Sequence, residues 1–155
     1  MNNFRHTAIL DTEHRSLTDK MFGILCVEDN EFAETMLSAV VGDLIAAGCL
    51  EQNIKIRHVP LEDDIPMGVM FFAEYTYVDA VIVLSQVLPF DYVKKCVIDL
   101  EVQWNMPVVF GSSNIPDANE PYLTAAERAA SMVNLQCSME SEFEKSANPD
   151  RNTIS

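Results

Sequence analysis

With 155 residues, 48% of them hydrophobic, the chain is long enough for one domain with a substantial core and too short to suggest two. Its formal charge of −14 disfavours a nucleic-acid backbone or an anionic membrane surface as partner, because like charge repels both at long range. The four cysteines, Cys26, Cys49, Cys96 and Cys137, show no C-x-x-C spacing for zinc or a redox disulfide and fit small core residues; with no signal-peptide pattern and no run of membrane-spanning length, a soluble cytoplasmic protein is expected.

In chain order, residues 1–20 form a polar N-terminal arm, residues 21–138 the folded domain, and residues 139–155 a polar tail whose composition fits disorder. Within the domain, "MFGILCV" (21–27), "IKIRHV" (54–59), "DAVIVL" (79–84) and "MPVVFG" (106–111) are continuous apolar runs. Runs without polar alternation suit strands covered on both faces, as in a parallel sheet. Between the first two, Phe32, Met36, Val40 and Leu44 recur every fourth residue, Asp29 or Asn30 is placed to cap a helix start, and Gly48 stands where a helix stops. Pro66 suits the first turn of a second helix. Tyr92, Val93, Cys96, Val97, Leu100 and Trp104 form a third apolar stripe, and Leu123, Ala126, Ala130, Val133 and Cys137 a fourth. Strand and helix alternate, which predicts an α/β domain: a three-layer α/β/α sandwich around a four-stranded parallel sheet. Ligands of such folds sit at the carboxyl ends of the strands, where strand order reverses. The loops holding Glu28–Asn30, Pro60–Pro66, Ser85–Pro89 and Gly111–Pro121 are therefore the places to look.

Two family resemblances run through these loops. "ILCVEDNEF" resembles the opening of response-regulator receiver domains, and "DAVIVLSQVLP" their third strand. That resemblance places Ser85 where a receiver has its acceptor aspartate, with no lysine near residues 114–122 to hold a phosphoryl group. A longer resemblance covers residues 22 to 135. "FGILCVEDNEF" is similar to the lumazine synthase turn that carries Arg-Phe-Asn, and "IKIRHVPLEDDIP" to that family's V-R-V-P segment. "YVDAVIVL" followed by "FDYV", "MPVVFG" and "AAERAASMVNL" follow in the family's order and spacing. The chain thus resembles a degenerate member of the lumazine synthase family. The resemblance implies a flavodoxin-like domain assembling as a homo-oligomer, a pentamer or a multiple of five, with sites between subunits. The family's reaction condenses a ribitylamino-pyrimidinedione with a four-carbon sugar phosphate in riboflavin biosynthesis.

Each demand of that chemistry can be compared with these residues. A flat pyrimidine needs an aromatic platform, but the family's two loop aromatics fall on Asp29 and about Asp63. A sugar phosphate needs amides and cations at close range, and the phosphate loop is cut short at Pro89. Proton transfer needs a group that titrates near neutrality, and Pro89 stands where the family places its histidine; His58 lies within the second strand. Three residues keep a substrate-binding correspondence with the family: Asn30, Asp64 in place of glutamate, and Phe110. No catalytic residue, metal ligand or cofactor is assigned. The expected role is an oligomeric scaffold or regulatory pseudoenzyme, with a small pyrimidine- or flavin-like ligand or an active paralogue as partner; a divergent active synthase and a receiver-like domain are the alternatives. Glu28 and Asp29 are expected to end a strand and cap a helix, the sharper alternative being that Glu28, Asp29, Asp63 and Asp64 converge as oxygen ligands of a metal ion.

Overall fold

The computed structural model describes residues 17–86, 90–112 and 124–154. Strands β1 (Phe22–Cys26), β2 (Ile54–His58), β3 (Ala80–Ser85) and β4 (Val108–Ser112) alternate with helices α1 (Glu31–Ala46), α2 (Ile65–Tyr75), α3 (Asp91–Trp104) and α4 (Ala125–Ile154). All strand pairs are parallel, in the order β2-β1-β3-β4. β1 and β3 are the inner strands and are buried along their whole length. β2 is an edge strand, half-buried and then exposed at Arg57 and His58, so the expectation of two covered faces does not hold for it: Lys55 and Arg57 alternate with Ile54 and Ile56, as on a strand with one covered face. His58 accordingly ends the strand in the open.

Alternation of side chains along the strands divides the core into two layers. On one face Leu25, Val81, Val83 and Val108 pack with Ile65, Val69 and Phe72 of α2 and Val93 and Val97 of α3. The fit of α2 on β1 is reciprocal: Gly23 on the strand makes room for the Phe72 ring, and Gly68 on the helix makes room for Leu25. On the other face α1 lies against the sheet, and the start of α4 approaches β4, where a Cβ on Gly111 would lie 3.2 Å from that of Ala125. The result is the three-layer α/β/α arrangement.

Local chemistry sets the ends of the elements. Asn30 is the N-cap of α1, its Oδ1 accepting from Ala33 N at 2.8 Å. Gly48, at φ +107, ends that helix, with Gly48 N donating to Ile45 O and Cys49 N to Leu44 O; the positive φ is one glycine adopts without a Cβ penalty. Pro66 sits in the first turn of α2, which does not need its missing N–H. α3 ends on Asn105 in the left-handed region, after which Glu101 Oε2 accepts from Val108 N at 2.7 Å and ties the helix to the next strand.

The helical stripes are buried only in part. In α1, Ala33, Val40 and Leu44 are buried while Phe32 is 47% exposed, because a strict four-residue spacing drifts around a helix of about 3.6 residues per turn and carries Phe32 off the face set by Val40 and Leu44. In α3, Val93 and Val97 are buried but Cys96 is exposed, so it is not a core thiol. Cys26 and Cys49 are buried and Cys137 is half-buried. Leu123 lies outside the described residues.

The chain forms two compact units. The sheet and its flanking helices up to Ala130 constitute one, and α4 from Ser131 onward falls in the other. In that second stretch Val133, Asn134 and Ser138 are buried and Met139 and Phe143 exposed, with Gln136 Nε2 donating to Glu140 Oε1 at 3.2 Å. Helical backbone continues to Ile154, and Glu140, Glu142, Glu144 and Lys145 are good helix formers irrespective of burial.

Candidate functional site

β1 and β3 lie side by side, while the chain leaves β1 toward β2 on one side and β3 toward β4 on the other. Strand order therefore reverses between them, and the crevice beyond their carboxyl ends is where an open α/β sheet receives a ligand. The residues there are Val27 to Asn30 after β1 and Ser85–Gln86 at the end of β3.

Glu28 crosses that crevice. Both of its carboxylate oxygens accept from Gln86 N at 3.1 Å, and Oε1 also accepts from Ser85 Oγ at 3.4 Å. Ser85 is 1% exposed, so water does not compete for its hydroxyl. Asn30, besides capping α1, extends its Nδ2 toward Gln86 Oε1 at 3.5 Å, a weak second bridge. Asp29 is exposed beside them. Negative charge gathers at the end of β1, and Cys26 registers it: burial, reinforced by Glu28 and Asp29, pushes its thiol up to about 11.

A second polar group lies on the loop between β2 and α2. Asp64 Oδ2 accepts from Leu61 N at 3.1 Å and closes a short helical turn over residues 62–64. Asp63 Oδ1 accepts from Tyr92 Oη at 2.5 Å, joining this loop to the first turn of α3. The acceptor holds the Tyr92 proton and raises that phenol above its ordinary range. Tyr92 in turn stacks on Phe90, with ring centroids 5.7 Å apart and planes 6° from parallel. Both rings are largely exposed. Glu62 Oε2 is buried and has no hydrogen-bond partner among the described residues.

The three sequence-predicted residues therefore stand in three settings. Asn30 is at the switch-point crevice, Asp64 braces the turn before α2, and Phe110, in β4, packs half-buried against the core layer beneath α2 and α3. Glu28, Asp29, Asp63 and Asp64 do not converge: among the described residues, no group of three or more His, Cys, Asp or Glu side chains is placed to hold one ion. The answer for Glu28 is a brace between two strand ends, and for the helix cap it is Asn30 alone. Sequence reasoning missed the Glu28–Gln86 bridge and the Tyr92–Asp63 contact, since both join residues far apart in the chain; the adjacency of β1 and β3 in this fold class was the signal that pointed to the first.

No protein-family model matches the chain. Over 106 residues it is 30% identical to the 6,7-dimethyl-8-ribityllumazine synthase of Cytophaga hutchinsonii, an alignment covering 62% of this chain and 67% of that protein.

Proposed function

The chain belongs to the lumazine synthase family, and from that premise we propose that it keeps the family's body as a homo-oligomeric scaffold or regulatory pseudoenzyme and does not carry out the condensation. The observation behind this reading is that each residue matching the family's site serves the domain's own structure. Asn30 caps α1, Asp64 holds Leu61 N, and Phe110 packs on the core. Asn30 Oδ1 and Asp64 Oδ2 already accept from the domain's own backbone N–H groups, which leaves each less capacity for a substrate. The position preceding Phe90 is Pro89, which has no titratable group to move a proton. The small molecule such a body would hold is a pyrimidine- or flavin-like ring, and its macromolecular partners would be copies of itself or an active paralogue.

Self-association has support of its own. Met67, Phe71 and Tyr75 recur every fourth residue along α2 and are all exposed, and Glu74 is the one charged residue in that helix. α2 is thus apolar on its outer side as well as its inner one, a pattern that calls for cover. α3 lies beside it and exposes Ile98 and Val102. A pentamer or a multiple of five follows from the family resemblance.

Two measurements test the proposal. Lumazine formation, assayed with the pyrimidinedione and the sugar phosphate, should be undetectable above the uncatalysed reaction; turnover at ordinary enzyme rates would establish a divergent synthase instead. Native mass spectrometry should give a five-fold stoichiometry, which Phe71→Glu should lower by placing a charge in the contact. A monomeric wild type removes the scaffold's rationale.

A further inference from the structure

The bridge from Glu28 to the end of β3 has a consequence for what this edge of the sheet can bind. Gln86 N is the first backbone N–H beyond β3, and the Ser85 hydroxyl stands next to it. Two donors converging at the carboxyl end of a strand, beside a strand-order reversal, form a place suited to an anionic oxygen. In this chain the anionic oxygen is supplied from within. The Glu28 carboxylate accepts from Gln86 N through both oxygens at 3.1 Å and from Ser85 Oγ at 3.4 Å.

We propose that Glu28 is a built-in anion that occupies the anion-accepting end of β3, so that the switch-point crevice rejects phosphate-bearing ligands until that carboxylate is removed. Two effects act together. The donors an incoming phosphate would use are already satisfied by charge-assisted hydrogen bonds, and the phosphate would have to approach a like charge at contact distance, where repulsion is strongest. Asn30 strengthens the arrangement from the same loop, since its Oδ1 is fixed by Ala33 N while its Nδ2 reaches Gln86. Exposed Asp29 adds a second negative charge at the mouth. Glu28 thereby acts as a specificity determinant, restricting the crevice to neutral or cationic groups. The assignment rests on contact geometry and holds whether or not the chain turns over any substrate.

The test uses the isotope-labelled full-length chain, with inorganic phosphate as probe and the Gln86 amide resonance as readout, in the wild type, Glu28→Gln and Glu28→Ala. Ionic strength is held constant with chloride. The wild-type amide should not respond specifically to phosphate. In Glu28→Ala it should shift saturably, with phosphate bound about tenfold tighter or more than by the wild type. Glu28→Gln keeps an oxygen for the amide without the charge and should fall between the two. A folded Glu28→Ala protein whose Gln86 amide ignores phosphate would overturn the proposal, as would a wild type that binds phosphate there equally well, or shifts that chloride alone reproduces. If Glu28→Ala does not fold, Glu28→Gln decides: a phosphate-specific shift supports the proposal and its absence refutes it. Lumazine synthesis by the wild type would count against the pseudoenzyme reading and leave this result standing.

Discussion

The same substitution at two helical glycines should change stability in opposite directions. Gly42 lies within α1, and a Cβ there would meet nothing within 4 Å. Neither Gly42 nor Gly68 has a positive φ, so alanine suits the backbone at both. Gly42→Ala should therefore stabilise by about 0.5–1 kcal/mol, the difference in helix propensity. At Gly68 the added carbon would lie 2.7 Å from Leu25 Cδ2 and 2.9 Å from Val59 Cγ1. Leu25 is 1% exposed and lies within the packed layer between sheet and helices, so it has little room to retreat. Overpacking of this kind costs about 1–3 kcal/mol; against the propensity gain, Gly68→Ala should be destabilising by about 0–2.5 kcal/mol. The two variants should differ by about 1–3 kcal/mol, the steric contribution alone. Urea unfolding at one fixed protein concentration reads the difference, each kcal/mol moving the midpoint by about 0.5 M at a slope of about 2 kcal/mol/M. The argument fails if Gly68→Ala gains as much stability as Gly42→Ala, because the close approach of α2 to β1 would then impose no constraint.

Three further outcomes follow from the same structure. Asn30→Ala should lose about 1 kcal/mol of stability in the same urea experiment, and Asn30→Asp should recover most of it, since either oxygen caps α1; equal losses would mean that the cap is not what matters. In the native protein near neutral pH an alkylating reagent should modify exposed Cys96 first, with Cys26 and Cys49 reacting only after unfolding. For Cys26, whose thiol is raised to about 11, chemistry reinforces burial, and mass mapping that finds it modified early in folded protein would contradict both. The Tyr92 phenol, held protonated chiefly by its hydrogen bond to Asp63, should ionise later than an ordinary tyrosine. Because its folded pKa is raised, its contribution to stability is complete below the ordinary phenol range and is lost as pH climbs through the folded value. Tyr92→Phe should delete a late-titrating component from the tyrosinate absorbance curve, and deletion of an ordinary one would refute the contact.

The amino-acid sequence by itself determined the class of fold, because that depends on local quantities. Three continuous apolar runs and the alternating segment at 54–59, separated by helical stripes, point to a parallel sheet between helices. Asn30 as a cap, Gly48 as a stop and Pro66 as a helix opener act within a few residues of themselves, so they are legible along the chain. Correspondence to a family likewise lies in the order of short blocks such as "FDYV" and "MPVVFG".

Tertiary structure alone decided which face of each helix was covered and what each polar residue served. Phe32 and Cys96 belong to regular apolar stripes yet are exposed, since a stripe fixes a periodicity but not the angle at which a helix docks. Asp63 and Asp64 are neighbours in sequence and serve different partners, Tyr92 and Leu61. The role of Glu28 depends on a residue 58 positions away: only when β3 is laid beside β1 does its carboxylate find the amide it closes over. Hydrogen bonds act over about 3 Å, and no pattern along a chain states which distant strand end will come that near.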